Sequence, residues 1–276
     1  MRQIRRIEKR KRREERRRLE EELGPDAPPK GVPRTLENMR AFDETYVMGA
    51  DKEVEDEEMM DEFSDHYLGR TSPKIFITTS LKYTKLCREF VRHLALLFPN
   101  AQVYPRKKYS VGVLIDYAIR NGFTDLLVVN EDHKQLNGMI HCHLPGGPTA
   151  IFRLSSVKML KEIGKVKLHS PELILNNFTT RLGRTIGRML GALVPLTPEF
   201  EGRRVITIHN QRDYIFFRHH IYEFEGPAAA NLRELGPSFT LKLKSLQSGL
   251  FDKKHGEYLF QHKRENQPYS RKKFVL

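Results

Sequence analysis

The chain has 276 residues, no tryptophan, 39% hydrophobic and 30% charged residues, and a net charge of +13. That length accommodates one large or two small domains with a real core, and the positive balance points to a polyanion such as nucleic acid as partner. Cys87 and Cys142 give no disulfide framework and suit a reducing compartment. No apolar run reaches membrane-spanning length and no apolar stretch follows the charged N-terminus, so a soluble, unsecreted protein is expected.

Residues 2–22 are dominated by Arg, Lys and Glu, with Arg5, Arg6, Arg10, Arg12, Arg13, Arg16 and Arg17 crowded together. This composition forms helix but carries almost no apolar face, so it reads as a basic arm that docks on RNA or a partner, and as a nuclear or nucleolar address. A Pro-rich stretch over 24–33 is a stiff linker. Residues 51–65 then hold nine acidic side chains against Lys52 alone, a segment of −8 that leaves +21 on the rest of a +13 chain. The expected reading is a solvated linker. The alternatives are a strip lying over a basic surface until RNA displaces it, or a site for a basic partner.

From Pro73 the pattern alternates between strand and helix. Strands are expected over 74–80, 101–104 and 125–130, and a hairpin over 139–143 and 150–154. Helices are expected over 82–98, where Leu86, Phe90, Leu94 and Leu97 recur, and over 111–120. Arg106, Lys107 and Lys108 form a basic turn between them. After a less regular stretch over 156–173, Thr179 or Thr180 caps a helix that ends by Pro195. Its Gly183, Gly187 and Gly191 fall at i, i+4, i+8. Each interior glycine costs roughly 1 kcal/mol against alanine, so the row calls for another backbone packed closely against it. Arg181, Arg184 and Arg188 form a second line on this helix. A solvated basic face is the ordinary reading of such a line, but the polar turn that precedes it suits an anion and favours phosphate contact. A second hairpin is expected over 205–209 and 214–224, then strands over 238–245 and 257–262 and a basic tail.

Several patterns imitate catalytic sites. His141 and His143 would share a strand face with Cys142 on the other, and no second ligand pair accompanies them, so no metal is expected. Asp125, Glu131 and Asp132 flank one strand without a second carboxylate cluster. The Pro145-Gly146-Gly147-Pro148 turn lacks the lysine and helix of a phosphate loop, His219 and His220 point to opposite faces, and Thr78, Thr79 and Ser80 have no recognisable base. No enzyme, cofactor or small-molecule substrate is expected. Binding signals are stronger: Arg212 and Arg218 interleave with Tyr214, Phe216 and Phe217, with Tyr214, Phe216 and Arg218 on one face, and Lys242 and Lys244 project from the strand over 238–245.

Five stretches then coincide with one family: PKIFITTS at 73–80, FTDLLVVNED at 123–132, HLPGGPTAIFRLSSV at 143–157, NNFTTRLGRTIGRML at 176–190 and RRVITIHNQRDYIFFRHHIY at 203–222. Together with ELGPSFTLKLKSLQSGLFD at 234–252 they resemble the Brix-domain family over about residues 70–276. The resemblance implies an α/β fold of two anticodon-binding-like halves, about 70–157 and 172–262, with a basic tail over 263–276 and residues 1–69 as an extended arm. It implies a non-enzymatic nucleolar factor that binds large-subunit pre-rRNA, other assembly factors and ribosomal proteins. The alternatives are a small-subunit processome member with its guide RNA, or a protein-interaction scaffold. The candidate RNA-binding residues are Arg106, Lys107, Lys108, Arg181, Arg184, Arg188, Arg212, Arg218, Lys242 and Lys244.

Overall fold

The structure is a computed structural model that describes residues 8, 10, 11, 13–15, 17–19, 21, 24, 32–47, 49, 51–159, 169–226, 229–262 and 273–276. Arg5, Arg6, Arg12 and Arg16, most of the 24–33 linker and most of the basic tail lie outside them. The chain divides into Met1–Met39 and Arg40–Leu276. In the first unit Arg10, Arg13 and Arg17 are helical and exposed, and Arg10 and Arg17 pair with Glu14 and Glu21 one turn on. Such exposed i,i+4 pairs favour helix only slightly.

The second unit is built on an eleven-stranded sheet. After two acidic helical pieces, α1 (Lys52–Met59) and α2 (Ser64–Tyr67), come β1 (Ile75–Thr79), α3 (Lys85–Ala95), β2 (Ala101–Val103), α4 (Val111–Arg120), β3 (Asp125–Asp132), β4 (Gln135–His143) and β5 (Thr149–Lys158). Then follow β6 (Glu172–Asn176), α5 (Arg181–Gly191), β7 (Arg204–Gln211), β8 (Tyr214–Phe224), β9 (Ala230–Glu234), β10 (Ser238–Gln247) and β11 (Tyr258–Gln261). β5 and β10 join both parts of the chain in one sheet, whose main path runs β2-β1-β3-β4-β5-β10-β8-β7-β6, because β5 pairs antiparallel with β10 from Thr149–Gln247 to Lys158–Ser238.

Connection geometry decides which faces are covered. β1 pairs parallel with β2 on one side and with β3 on the other, so the crossovers through α3 and α4 proceed in opposite directions. With right-handed connections the two helices land on opposite faces. α3 joins the larger core with Phe90, Val91 and Leu94, alongside Ile186, Met189 and Leu190 of α5. α4 lays Leu114, Ile115 and Ala118 on the other face, over Phe76, Leu126, Val128 and Cys142. Towards the other edge the chain makes one parallel crossover, β6 to β7 through α5, and then proceeds by antiparallel pairing through β8 and β10. Antiparallel neighbours need no helical crossover. The face of β5, β10, β8 and β7 turned away from α5 therefore receives no helix among the described residues.

The hairpins and the three predicted amphipathic helices match the expected positions. α1, α2, β6 and β9 were not expected. The expectation of a solvated linker over 51–65 is corrected: Phe63 is fully buried in the larger core, Val54 is buried, and the segment folds onto α5.

Candidate nucleic-acid interface

On β8, strand alternation sends Ile215, Phe217 and His219 inward and Tyr214, Phe216 and Arg218 outward. On β10, Leu241 and Leu243 go in while Lys242 and Lys244 go out. Registration places Phe216 opposite Thr240 on one side and His209 on the other, and Lys242 opposite Arg153 of β5. The cations sit over the rings: Lys242 Nζ lies 5.0 Å from the centroid of Tyr214, and the Arg218 guanidinium 5.5 Å from that of Phe216. Arg218 also donates to the carbonyls of Phe217 (2.8 Å) and Phe239 (3.2 Å), which fixes it across two strands. Among the described residues none of Arg153, Arg218, Lys242 and Lys244 forms an ion pair with a carboxylate. Asp213 interacts electrostatically with Lys242 without an ion pair, and its carboxylate accepts from the Val275 and Leu276 N–H groups. Burial pushes its pKa up, against the lowering effect of those hydrogen bonds. Arg212, exposed, stands at the left-handed φ 54° in the β7–β8 turn.

The arginine line of α5 has a different environment. Arg184 donates to both carboxylate oxygens of Glu58, at 2.6 and 3.0 Å. Arg188 donates to both oxygens of Asp61, at 2.6 and 2.8 Å, and to the Glu58 carbonyl at 2.7 Å, with its guanidinium 4.2 Å from the Tyr67 ring centroid. Arg181, the most exposed, reaches Glu53 at 3.2 Å and Glu57 at 3.5 Å. Side-chain exposure falls along the helix from 43% at Arg181 to 29% at Arg184 and 15% at Arg188. Every arginine of the line faces a carboxylate of the acidic segment in the place where a phosphate was expected.

The anion-suited turn before α5 is also filled by the chain itself. Thr180 caps the helix, accepting from Gly183 N at 2.8 Å and donating to the Val275 carbonyl at 2.7 Å. Arg181 N donates to the Thr45 carbonyl at 2.9 Å, and Arg40 donates to Thr179 Oγ1 at 2.7 Å. The glycine row has three separate neighbours. A Cβ on Gly183 would lie 2.9 Å from the Leu276 carbonyl carbon, one on Gly187 would press on the Phe178 ring, and one on Gly191 would strike the Tyr67 hydroxyl. Close backbone approach thus explains Gly183, while side chains explain the other two. The Tyr67 hydroxyl, whose pKa burial raises to about 12, donates to the Arg188 carbonyl at 3.0 Å.

The basic turn divides as well. Lys107 and Lys108 are exposed, whereas Arg106 is buried and donates from Nε to the Tyr109 carbonyl at 2.8 Å, its pKa lowered by that burial. Arg204, which the sequence groups with Arg203 among the basic residues at strand ends, is instead buried and ties distant parts of the fold together. Its guanidinium donates to His219 Nε2 (3.1 Å), the His169 carbonyl (2.7 Å) and the Leu96 carbonyl after α3 (3.1 Å). His219 must then be neutral, with its Nδ1–H on the Gly236 carbonyl at 2.8 Å. Burial lowers its pKa to about 4.

The residues that imitate a metal or catalytic site hold the acidic segment and α3. His141 Nε2 and His143 Nδ1 each lie 2.9 Å from the same oxygen of the buried Asp125. His143 Nε2 is 3.2 Å from the Glu62 carbonyl. Burial opposes charge on His143, but two acceptors, Asp125 and Glu62, raise its pKa above the ordinary value. Asp125, despite its burial, is held below the ordinary carboxylate range by the two histidines. Glu131 accepts from the Thr84 N–H and hydroxyl, both at 2.7 Å, at the start of α3. Among the described residues no group of three or more His, Cys, Asp or Glu side chains is arranged to hold a metal ion.

One large mixed sheet, wound with helices on both faces at one end and bare on one face at the other, defines a mixed α/β protein with a basic, aromatic sheet surface. The Brix domain family model matches residues 80–245, and the chain belongs to that family. It is 51% identical over 260 residues to "Ribosome production factor 1" of Xenopus laevis, covering 93% of this chain and 76% of the relative. The Saccharomyces cerevisiae protein of the same name is 44% identical over 251 residues, covering 89% and 81% of the two chains. A Caenorhabditis elegans Brix domain-containing protein is 50% identical over 98% of this chain and 72% of its own length. Among solved structures, a probable ribosomal biogenesis protein from Aeropyrum pernix K1 aligns with a TM-score of 0.46 at 19% identity, over 62% of this chain and 96% of that one.

Proposed function

We propose that this protein is a non-enzymatic ribosome assembly factor that binds precursor rRNA of the large subunit on the bare sheet face and acts by occupancy. The observation that carries the reading is the alternation of half-exposed rings on β8 and β10 with cations that form no ion pair among the described residues, where Tyr214 is 44% exposed beside Lys242. A flat sheet with outward aromatics and cations suits unstacked bases and the phosphates between them. The names of the relatives, which place them in ribosome production, support the process. On this reading Arg153, Arg218, Lys242, Lys244 and Arg212 contact RNA in the second half of the sheet, and Lys107 and Lys108 contact it beside α4. Arg184 and Arg188 instead hold the acidic segment in place, and Arg181 lies at the margin. The basic arm supplies non-specific attraction and a nucleolar address, and assembly factors and ribosomal proteins are the protein neighbours.

Each phosphate neutralised releases counterions, so affinity for single-stranded RNA should fall linearly in log–log form with salt. In-cell crosslinking of the tagged protein, followed by sequencing of the attached RNA, tests the process and the target. Crosslinks in large-subunit rRNA and its spacer are expected. Crosslinks confined to small-subunit precursor would reassign the subunit, and absence of enriched RNA would overturn the RNA reading.

A further inference from the structure

Beyond the sheet face, an open cup of about 340 Å³ lies between the end of β2 and α4. Tyr104 stacks flat on Phe76, with ring centroids 4.5 Å apart and planes 4° apart, and Tyr117 and Phe123 meet Tyr104 edge-on at 6.0 and 5.9 Å. Those contacts fix the ring orientation before anything binds. Tyr109, Val113 and Tyr117 complete the wall while remaining 51%, 50% and 45% exposed. Three large side chains left in water around one concavity mark a binding surface. The turn bearing Tyr109 is held by the buried Arg106, through the 2.8 Å hydrogen bond to the Tyr109 carbonyl. Lys107 lines the cup at the left-handed φ 47°, Lys108 follows it exposed, and the lining contains no carboxylate.

We propose that this cup holds one unstacked base of a single-stranded RNA, with the adjoining phosphate on Lys107 and Lys108. The proposal rests on the RNA-binding reading above and adds a second, separate contact to it. Preformed aromatic walls suit a planar base of any sequence, and the lysines at the rim select an anionic strand over an apolar or proline-rich peptide. The cup opens on the same side of the sheet as the bare face, because its floor residue Phe76 belongs to the α4-covered side with Leu126, Val128 and Cys142.

The absence of tryptophan from the chain allows a direct test. In the full chain carrying Tyr109→Trp, the single introduced indole should be quenched by a short single-stranded oligoribonucleotide. The half-saturation should match that of binding followed by anisotropy, and an RNA duplex should quench little. Tyr109→Ala with Tyr117→Ala should weaken binding of the same oligonucleotide by about tenfold or more, the scale of losing one stacked base, while Tyr109→Phe retains it. An unquenched indole on a protein that still binds RNA would overturn the cup and leave the RNA reading standing. Quenching by a proline-rich peptide but not by RNA would overturn the assigned occupant. Failure of the unmodified protein to bind RNA at all would remove the reading on which the cup rests.

Discussion

Two basic surfaces of this molecule have similar sequence signatures and opposite surroundings. On α5, Arg181, Arg184 and Arg188 are met by Glu53, Glu57, Glu58 and Asp61. On the sheet face, Arg218 and Lys242 lie over rings, Arg218 also donates to backbone carbonyls, and none of Arg153, Arg218, Lys242 and Lys244 forms an ion pair with a carboxylate among the described residues. A cation whose charge is already matched within the chain gains little from a phosphate, because the internal pair must first be broken. A cation over an aromatic ring keeps its charge for a ligand. Net charge along a segment therefore does not locate a polyanion site until the acidic residues have been placed.

The largest effect that would break this comparison is charge reversal on the sheet face. Lys242→Glu with Lys244→Glu should lower affinity for single-stranded RNA by well over tenfold and flatten the salt dependence by about one unit of slope for each cation lost, with an unchanged far-UV spectrum. Equal affinity in a salt titration would contradict the assignment. Arg188→Ala should act on stability instead. It leaves Asp61 and the Glu58 carbonyl without their partner and uncovers Tyr67, a loss of about 2–3 kcal/mol, at or below the low end for a broken buried pair because some solvent reaches it. Urea denaturation reads this directly, and RNA affinity measured on the folded fraction should not change. Gly191→Ala, which forces a methyl against the Tyr67 hydroxyl, should destabilise by about 1–2 kcal/mol through overpacking, whereas Gly112→Ala, with open space around it, should be neutral or better.

Acid sharpens the contrast more gently. His219 must be neutral to accept from Arg204, and its folded pKa of about 4 lies below the ordinary 6.5. The unfolded chain therefore binds the extra proton between those values, and stability should fall with decreasing pH by up to about 1.4 kcal/mol per pH unit across that window. His143 has the opposite sign. Its raised folded pKa gives a contribution that is complete below 6.5 and is lost as pH rises through the folded value. Thermal melts from pH 4 to 8 with His219→Gln should show a flatter acid limb than the unmodified chain.

Much of the fold was legible because its signals are periodic. Strands β1 and β3 stand out as short runs of buried residues, α3, α4 and α5 through their apolar spacing, and the β7–β8 turn through Asn210–Asp213. The sheet-face residues Tyr214, Phe216 and Arg218 could be grouped from alternation alone. What stayed hidden depends on long-range contact. The acidic segment lacks a strong apolar stripe, and its anchors are scattered single residues with distant partners: Phe63 meets His143 of β4, and Tyr67 meets the Arg188 carbonyl of α5. Arg204 reads as an ordinary basic residue before a strand until the Leu96 and His169 carbonyls converge on it. β6 and β9 are short and half-exposed, so composition does not distinguish them from loop. The tyrosine cup joins the end of one strand to the face of a later helix, a pairing no local pattern encodes.

The most direct test of the central contrast is ultraviolet crosslinking of the purified full chain to single-stranded RNA, with the linked peptides mapped by mass spectrometry. Adducts are expected in residues 214–218 and 242–244, and none on Arg184 or Arg188. Adducts concentrated on α5, with the 214–218 and 242–244 peptides unmodified, would contradict that contrast.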